Sequence, residues 1–499
     1  MMTEAACELL LAAAESGEVV TIDNFIGGHF VPSKQTMPSI DPATGQRWLD
    51  IPKSDVEDVN AAVSAAKKAF KTWSKTSVQT RSKLLNRVAD ILEPLLFPLA
   101  ELESKDQGKT ITTAKMVDIP RCIHNFRTFA SAILHHTGTS SIQAEPAHAI
   151  NYVQHDPIGV AALISPWNLP LYLLSFKLAP ALACGNTVVA KPSEMTSATA
   201  YILMHAFREA GFPPGVVNLV IGTGAECGEP LVSHEDVALV SFTGSTAIGK
   251  RIAEIAAKTN KKVSLEMGGK NAGIIFGDVA IDEIMPTIVN SCFANQGEIC
   301  LCTERLYVHS SIFDQFLQKF AEAAKKWRVG DPKSRSSNIG ALISKQHFDK
   351  VNSYFELAKS EGATIHCGGP LTPEGRCEKG YFFTPTIITD VENTSRLLFE
   401  EVFGPFVVVN KFETRDEVIE KANSTKYGLS ASVFSKNIDN ITVVAKELRV
   451  GTVWCNCWMI RELNMPFGGT KESGNGRDGT VDSFDFYSEK KTVCIKIDH

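Results

Sequence analysis

Excess positive charge is what this sequence most plainly lacks: 50 Lys and Arg stand against 56 Asp and Glu, a formal net charge of −6. Without a basic footprint for a phosphate backbone, no nucleic-acid partner is expected. Long hydrophobic runs are lacking as well. The most apolar stretch, 169–184, is broken by Pro170, Lys177 and Pro180 and is too short to cross a bilayer, so no membrane association is expected. Through Gly17 the chain carries Glu4, Glu8 and Glu15 but no Lys or Arg, unlike a secretory or organellar leader, and the expected location is cytoplasmic. Cysteine is sparse for the length, 12 in 499 residues, which speaks for scattered reduced thiols and against a disulfide framework. No repeat recurs at a fixed period, which removes solenoids and propellers.

What is present is enough chain for at least two hydrophobic cores. Residues 55–75 and 80–105 space their apolar positions three and four apart, predicting two amphipathic helices that pair in an N-terminal helical layer. From residue 158 the texture changes. Short β-rich runs at 158–164, 187–191, 216–221, 237–242 and 263–266 alternate with segments long enough for crossover helices, which predicts an open, doubly wound parallel sheet. A second alternation starts at 272–276 and runs through helical 312–327 and 345–360, predicting a second α/β unit. The tail, 483–497, alternates charged and apolar residues and suits a strand added to another sheet, a partner subunit being one candidate acceptor.

Glycine patterns come first among the motifs. Gly222, Gly224 and Gly228 follow a strand with one residue too many between the last pair, while Gly474, Gly476 and Gly479 follow a polar turn and leave no chain for the ribose-binding acid expected about 20 residues on. Both read better as tight turns. The run Phe242-Thr243-Gly244-Ser245-Thr246-Ala247-Ile248-Gly249 ends a strand and opens a helix, where free N–H groups and the helix dipole favour an anion such as pyrophosphate; alone it is also an ordinary N-cap. Lys191 and Glu194 sit at the carboxyl end of another strand, the edge at which open α/β sheets bind ligands, although either charge alone would ordinarily be solvated.

In Leu265-Glu266-Met267-Gly268-Gly269-Lys270-Asn271 a strand runs into two glycines. A desolvated Glu266 there is a candidate general base, the plainer alternative being a solvent-facing strand end. Further on, Phe293-Ala294-Asn295-Gln296-Gly297-Glu298-Ile299-Cys300-Leu301-Cys302 sets a thiol behind glycine and polar residues, a candidate nucleophile against the commoner buried cysteine. The Cys300/Cys302 and Cys455/Cys457 spacings do not match structural zinc, so no metal is expected. Pro166 and Pro170 bracket Asn168, whose amide is either a fixed donor for an oxyanion or part of a merely rigid loop.

Taken together these motifs resemble the aldehyde dehydrogenase superfamily in order and spacing over nearly the whole chain, with matches at 265–272, at 293–302 and at Glu400-Glu401-Val402-Phe403-Gly404-Pro405. The resemblance implies two doubly wound α/β domains plus a small β oligomerisation arm: an NAD-binding domain from 1–137 and 157–267, a catalytic domain from 268–462, and an arm from 138–156 and 480–499. It implies Cys300 as nucleophile, Glu266 as general base, and Asn168 with the Cys300 backbone N–H as oxyanion hole. For the cofactor it implies Lys191 and Glu194 at the adenosine ribose, Ser245 at the pyrophosphate, and Glu401 with Phe403 at the nicotinamide riboside. Ile164, Trp167, Gly224, Gly244 and Gly249 complete that site. A carboxylate at Glu194 accepts from a ribose 2′-hydroxyl and repels a 2′-phosphate, so NAD is expected rather than NADP. A base at Glu266 points to hydrolysis of the thioester rather than its transfer to CoA.

The runs at 104–110, 169–174 and 456–463 are similar to a narrower branch acting on 2-aminomuconate 6-semialdehyde in tryptophan catabolism, a branch also described as oxidising retinal. Arg121 and Arg461 match the arginines with which that branch holds a carboxylate, a task suited to a planar bidentate fork. The carboxylated semialdehyde is therefore the first expectation and retinal, or a broad aldehyde range, the second. A catalytically idle binding protein is the rival from another class, against which intact Cys300, Glu266 and Asn168 weigh. The resemblance further implies a homodimer or homotetramer joined through the arm.

Overall fold

A computed structural model describes residues 1–497; the last two residues of the tail lie outside the described part. The five β-rich runs after residue 158 become the adjacent parallel strands Val160–Ile164, Thr187–Lys191, Val217–Leu219, Val237–Thr243 and Lys262–Glu266, the middle of an eight-stranded sheet. Side chains alternate between the two faces of a strand, and here both faces are covered. Ala161, Leu163, Val188, Ala190 and Leu239 enter one core. Ala162, Ile164, Val189 and Val240 enter the other. The chain starts at Val160–Ile164, steps outward through Thr187–Lys191 to Val217–Leu219, and returns to the far side of the first strand with Val237–Thr243. At that reversal the loops leaving Val160–Ile164 and Val237–Thr243 diverge and open a crevice at their carboxyl ends.

A seven-stranded sheet repeats the logic. Its order is Thr364–Leu371, Phe382–Thr389, Phe406–Phe412, Thr303–His309, Asn271–Ile275, Ser430–Phe434, Thr452–Cys455, all parallel except the first. Only Met267 to Lys270 separate the last parallel strand of the first sheet from Asn271–Ile275. The carboxyl edge of one sheet is thereby set close to the amino edge of the next. The C-terminal region also returns to the first sheet, where Gly474–Asn475 pairs antiparallel with Leu265 and Glu266.

The N-terminal helices differ from expectation in two ways. Residues 80–105 form two helices, Val78–Leu92 and Leu96–Gln107, separated by a 3-10 turn containing Pro94, whose missing N–H ends the first ladder. The helix Val56–Trp73 does not pair with Val78–Leu92. Most of its buried face packs on the sheet side holding Val59, Ala62, Val63 and Ala66, while Val78–Leu92 packs against the helices Ile119–Ala132 and Ala198–Ala210 over the opposite side. Each amphipathic face is satisfied by the sheet or its covering helices, and none remains for the other.

Of the tail, Thr480–Phe486 is a helix packed on the helix Pro170–Ala183, and the strand proper is Ser488–Lys496. That strand finds its acceptor within the chain. It pairs antiparallel with Ala149–Pro157, which pairs in turn with Ser140–Gln143. Ile142, Ile150 and Ile495 lie opposite one another across this three-stranded arm and are exposed. Among the described residues no helix is long and apolar enough to cross a membrane.

Candidate active site

The cysteine motif lies between the helix Ile281–Phe293 and the strand Thr303–His309, at the amino edge of the second sheet. Its entry is an unusual stretch of backbone: Asn295, Gln296 and Gly297 take φ of 52°, 59° and 71° in succession. Left-handed conformations at two non-glycine residues cost of order 1–3 kcal/mol each and persist only where surroundings enforce them. Here Asn295 Nδ2 donates to the Asn168 carbonyl at 3.1 Å and Gln296 Nε2 to the Ala341 carbonyl at 3.2 Å. Gly297 is required on two counts, because a Cβ there would also lie 2.1 Å from the Gly404 carbonyl oxygen.

Downstream of that turn the Cys300 thiol donates to Glu266 Oε1 at 3.2 Å. Glu266 ends the strand Lys262–Glu266 and is only 6% exposed. Its second oxygen accepts from Thr243 Oγ1 at 3.2 Å. Burial raises the Glu266 pKa, with buried Lys177 the largest opposing influence. Burial raises the Cys300 thiol still more strongly, and the neighbouring Glu266 charge adds to it. The pair thus rests with the proton on sulfur and a basic carboxylate beside it. Cys302 is directed elsewhere: its thiol donates to the Ala294 carbonyl at 3.8 Å.

Asn168 is 3% exposed, and its Nδ2 donates to the Glu298 carbonyl at 2.8 Å, which ties the loop after Val160–Ile164 to the cysteine turn. Its own carbonyl accepts from Lys109 Nζ at 2.9 Å, and Lys109 is itself fully buried against Asp118 at 2.7 Å. Glu298 closes this network, accepting from Gln107 Nε2 at 2.8 Å and from the Ile343 N–H at 3.0 Å, while burial pushes its carboxyl up to about 8. Among the described residues, no hydrogen bond engages the Cys300 backbone N–H.

On one side of Cys300 a cavity of about 160 Å³ is lined by Trp167, Asn168, Gly244, Ser245, Glu401 and Phe403, along with Cys300 itself. Ser245 is exposed and caps the helix Thr246–Ala257. Glu401 Oε1 accepts from the Gly269 N–H at 2.8 Å, an approach possible because a Cβ on Gly268 would stand 2.3 Å from Oε2. Burial, reinforced by Glu304, pushes Glu401 up to about 7. Phe403, at φ 60°, meets Trp167 edge to face with centroids 5.4 Å apart. Lys191, Glu194 and Gly224 do not line this cavity. Lys191 Nζ lies 3.5 Å from Glu194 Oε2 and beside Gly228, Ile164 pairs with Lys191 in the sheet, and Gly224 opens the π-helical turn Gly224–Gly228 with free space where its Cβ would be. Gly249 admits Met267, whose sulfur would stand 2.3 Å from a Cβ there. Within the cavity, a helix N-terminus with an exposed hydroxyl at Ser245 suits an anion, and Glu401 offers a carboxylate; the Lys191–Glu194 pair stands outside it.

The opposite side of the same loops opens a second cavity, of about 710 Å³, to which Leu169 and Ile299 contribute next to Asn168 and Cys300 on the first. Arg121 and Arg461 both line it. The Arg121 guanidinium sits 5.4 Å above the Tyr172 ring, and Arg461 Nη1 donates to the Tyr172 hydroxyl at 3.3 Å. Arg461 also stacks 3.8 Å over Phe467, and its Nε and Nη2 are buried without a hydrogen-bond partner.

Several contributors escaped the sequence reading. Asn271 Nδ2 donates to the Cys300 and Cys302 carbonyls at 2.7 and 2.8 Å, and Lys177 Nζ donates to Ser241 Oγ at 3.0 Å within electrostatic reach of Glu266 and Asp478. Lys177 did leave a signal, as the only charge in the stretch 169–184. Asn271, Glu298 and Lys109 stand inside motifs whose other residues carry the more obvious chemistry.

The aldehyde dehydrogenase family model matches residues 30–493. The chain is 52% identical to a 2-aminomuconic semialdehyde dehydrogenase of Bos taurus, covering 97% of this chain and all of that protein. It is 53% identical to one of Mus musculus over 96% of this chain and 99% of that protein. An NAD+ complex of an aldehyde dehydrogenase from Bacillus cereus superposes with a TM-score of 0.93 at 37% identity, covering 96% of this chain and 97% of the other.

Gly297→Ala is expected to displace the cysteine turn from Gly404, lowering the melting temperature and cutting the rate of NADH formation about tenfold or more; wild-type activity would show that the turn tolerates a side chain.

Proposed function

This chain belongs to the aldehyde dehydrogenase family and oxidises aldehydes with NAD, and we propose that it does so through Cys300 on a carboxylated, unsaturated semialdehyde, 2-aminomuconate 6-semialdehyde. The observation that carries the catalytic part is the 3.2 Å thiol–carboxylate contact beside the cavity that Cys300 lines. Cys300 attacks the aldehyde carbon as its proton passes to Glu266. The Cys300 backbone N–H and an N–H of the Asn168 amide stabilise the oxyanion. NAD, when bound, supplies the acceptor for the hydride that leaves the thiohemiacetal. Glu266 then releases the thiol proton to solvent, takes one from the water that hydrolyses the Cys300 thioester to the acid, and returns it to the leaving Cys300 thiolate, which restores the resting pair.

In this reading Lys191 and Glu194 hold the adenosine ribose, Ser245 with Gly224, Gly244 and Gly249 the pyrophosphate stretch, and Glu401 and Phe403 the nicotinamide riboside, with Ile164 and Trp167 along the path. The substrate part rests on Arg121 and Arg461 converging on Tyr172 from one cavity, with two Arg461 nitrogens lacking partners. A carboxylate would satisfy them, whereas a neutral polyene would leave buried donors unpaired. The relatives named for the same semialdehyde support this choice. Assembly is into a homodimer or homotetramer, supported by the exposed isoleucines of the arm, and the location is the cytoplasm, supported by twelve unpaired thiols.

NADH absorbance with purified enzyme tests the substrate. Higher kcat/KM is expected for the semialdehyde than for retinal, and the reverse order would overturn the assignment. Arg121→Ala and Arg461→Ala should each raise KM for the carboxylated substrate by about 10- to 100-fold, from about 1.5–3 kcal/mol per charge-assisted contact, while a neutral aldehyde is little affected.

Cys300→Ser should abolish oxidation and keep NAD binding, measured by fluorescence titration, and Cys302→Ser should stay active; the opposite pattern would move the nucleophile.

Glu266 acts as a base only when deprotonated, and its pKa is raised, so activity should fall on acidification at a pH above the ordinary carboxylate value of 4.5. Glu266→Gln should erase that limb of the pH profile and cost about 10²–10⁴ in kcat.

A further inference from the structure

Away from the crevice, the described residues assemble one group of metal-ligating side chains: His136, His155 and Asp485, with one ligand atom from each lying within 4.8 Å of the others. The three come from separate parts of the fold. His136 follows the turn Ile133–His135 that ends the helix Ile119–Ala132, His155 sits on the arm strand Ala149–Pro157, and Asp485 sits on the helix Thr480–Phe486. The two imidazoles meet edge to face with centroids 4.6 Å apart, and the His136 ring also abuts Phe484 at 5.1 Å.

Two observations single this group out from chance proximity. The Nε2 atom of His136 is buried and has no hydrogen-bond partner. All three residues also line a cavity of about 960 Å³, shared with Glu462 and Lys490, which provides an entry path for an ion. His155 Nδ1 is engaged by Ser488 Oγ at 3.2 Å, the kind of outer contact that orients a ligating imidazole and leaves its other nitrogen free. Asp485 Oδ2 accepts from Lys490 Nζ at 2.9 Å, so one carboxylate oxygen is committed and Oδ1 remains. Lys490 is the opposing charge, and its ion pair with Asp485 limits the repulsion it exerts on a second cation.

We propose that His136, His155 and Asp485 bind a divalent transition-metal ion of the Zn²⁺ type, clipping the arm strand and the C-terminal helix to the helical body of the first domain. Two imidazoles and one carboxylate are donors for a borderline cation; Ca²⁺ and Mg²⁺ require mostly oxygen. Bonds of about 2.0–2.1 Å in a tetrahedral site place ligand atoms about 3.3–3.4 Å apart, so from separations of up to 4.8 Å the three side chains close inward on the ion and leave the fourth position to water.

Cobalt titration of the full-length enzyme tests the site, because Co²⁺ bound by nitrogen and oxygen shows weak visible bands without the intense near-ultraviolet band of a cobalt thiolate. The expected result is one Co²⁺ per chain with the nitrogen–oxygen spectrum, displaced by Zn²⁺, and a higher melting temperature with Zn²⁺. His136→Ala and the isosteric Asp485→Asn should each weaken binding at least tenfold and abolish the melting shift. Should His136→Ala not fold, Asp485→Asn decides alone. The proposal is overturned if no stoichiometric binding occurs, if the spectrum consists only of thiolate bands, or if Asp485→Asn binds as tightly as the wild type.

Discussion

The site depends first on a buried polar network that ties two loops from different sheets together. Lys109 and Asn295 both donate to the Asn168 carbonyl, Asn168 donates to the Glu298 carbonyl, and the Glu298 carboxyl is held in turn by Gln107 and Ile343. Groups this deeply buried are costly unless nearly every donor and acceptor is matched, and a matched set tolerates few alternative arrangements. Such a network therefore works as a positioning device. It brings the loop after the strand Val160–Ile164 against the turn that presents Cys300, and it holds the left-handed backbone at Asn295 and Gln296 that neither residue would adopt alone.

Desolvation then acts on five ionisable groups near that junction, with a sign set by the charge type. It raises Glu266, lowers Lys177, and pushes Glu401 and Glu298 up to about 7 and about 8. The consequence at Cys300 is a protonated thiol in contact with a carboxylate of raised basicity rather than a standing thiolate. Proton transfer within that pair is available when an electrophile arrives, and the thiol is less open to adventitious oxidation in the meantime.

The two cavities meet at consecutive residues. Asn168 and Cys300 face the side with the capped helix and Glu401, while Leu169 and Ile299 face the side with Arg121 and Arg461. Cys300 itself lines the first cavity, and its chain neighbour Ile299 lines the second. This arrangement needs the carboxyl edge of one sheet against the amino edge of the other, which the short link from Glu266 to Asn271 imposes.

Much of this was legible in one dimension. Strand positions and crossover helices follow from local patterning, because β-rich runs and helix caps are properties of neighbouring residues; Cys300, Glu266 and Asn168 stood out as candidates by residue type, and only the family resemblance gave them roles. Partnership was not legible. The periodicity of 55–75 and 80–105 shows that each has an apolar face but not what covers it, so the helices lie on opposite sides of the sheet; the alternation of 483–497 announces a strand but not that Ala149–Pro157 of the same chain receives it. Lys177, Lys109 and Glu298 look like ordinary charges until burial removes their water. Local sequence determined which groups the protein has and which elements carry them; only the tertiary structure decided which of them lose solvent together, and that shared loss of solvent sets their pairing and their proton affinities.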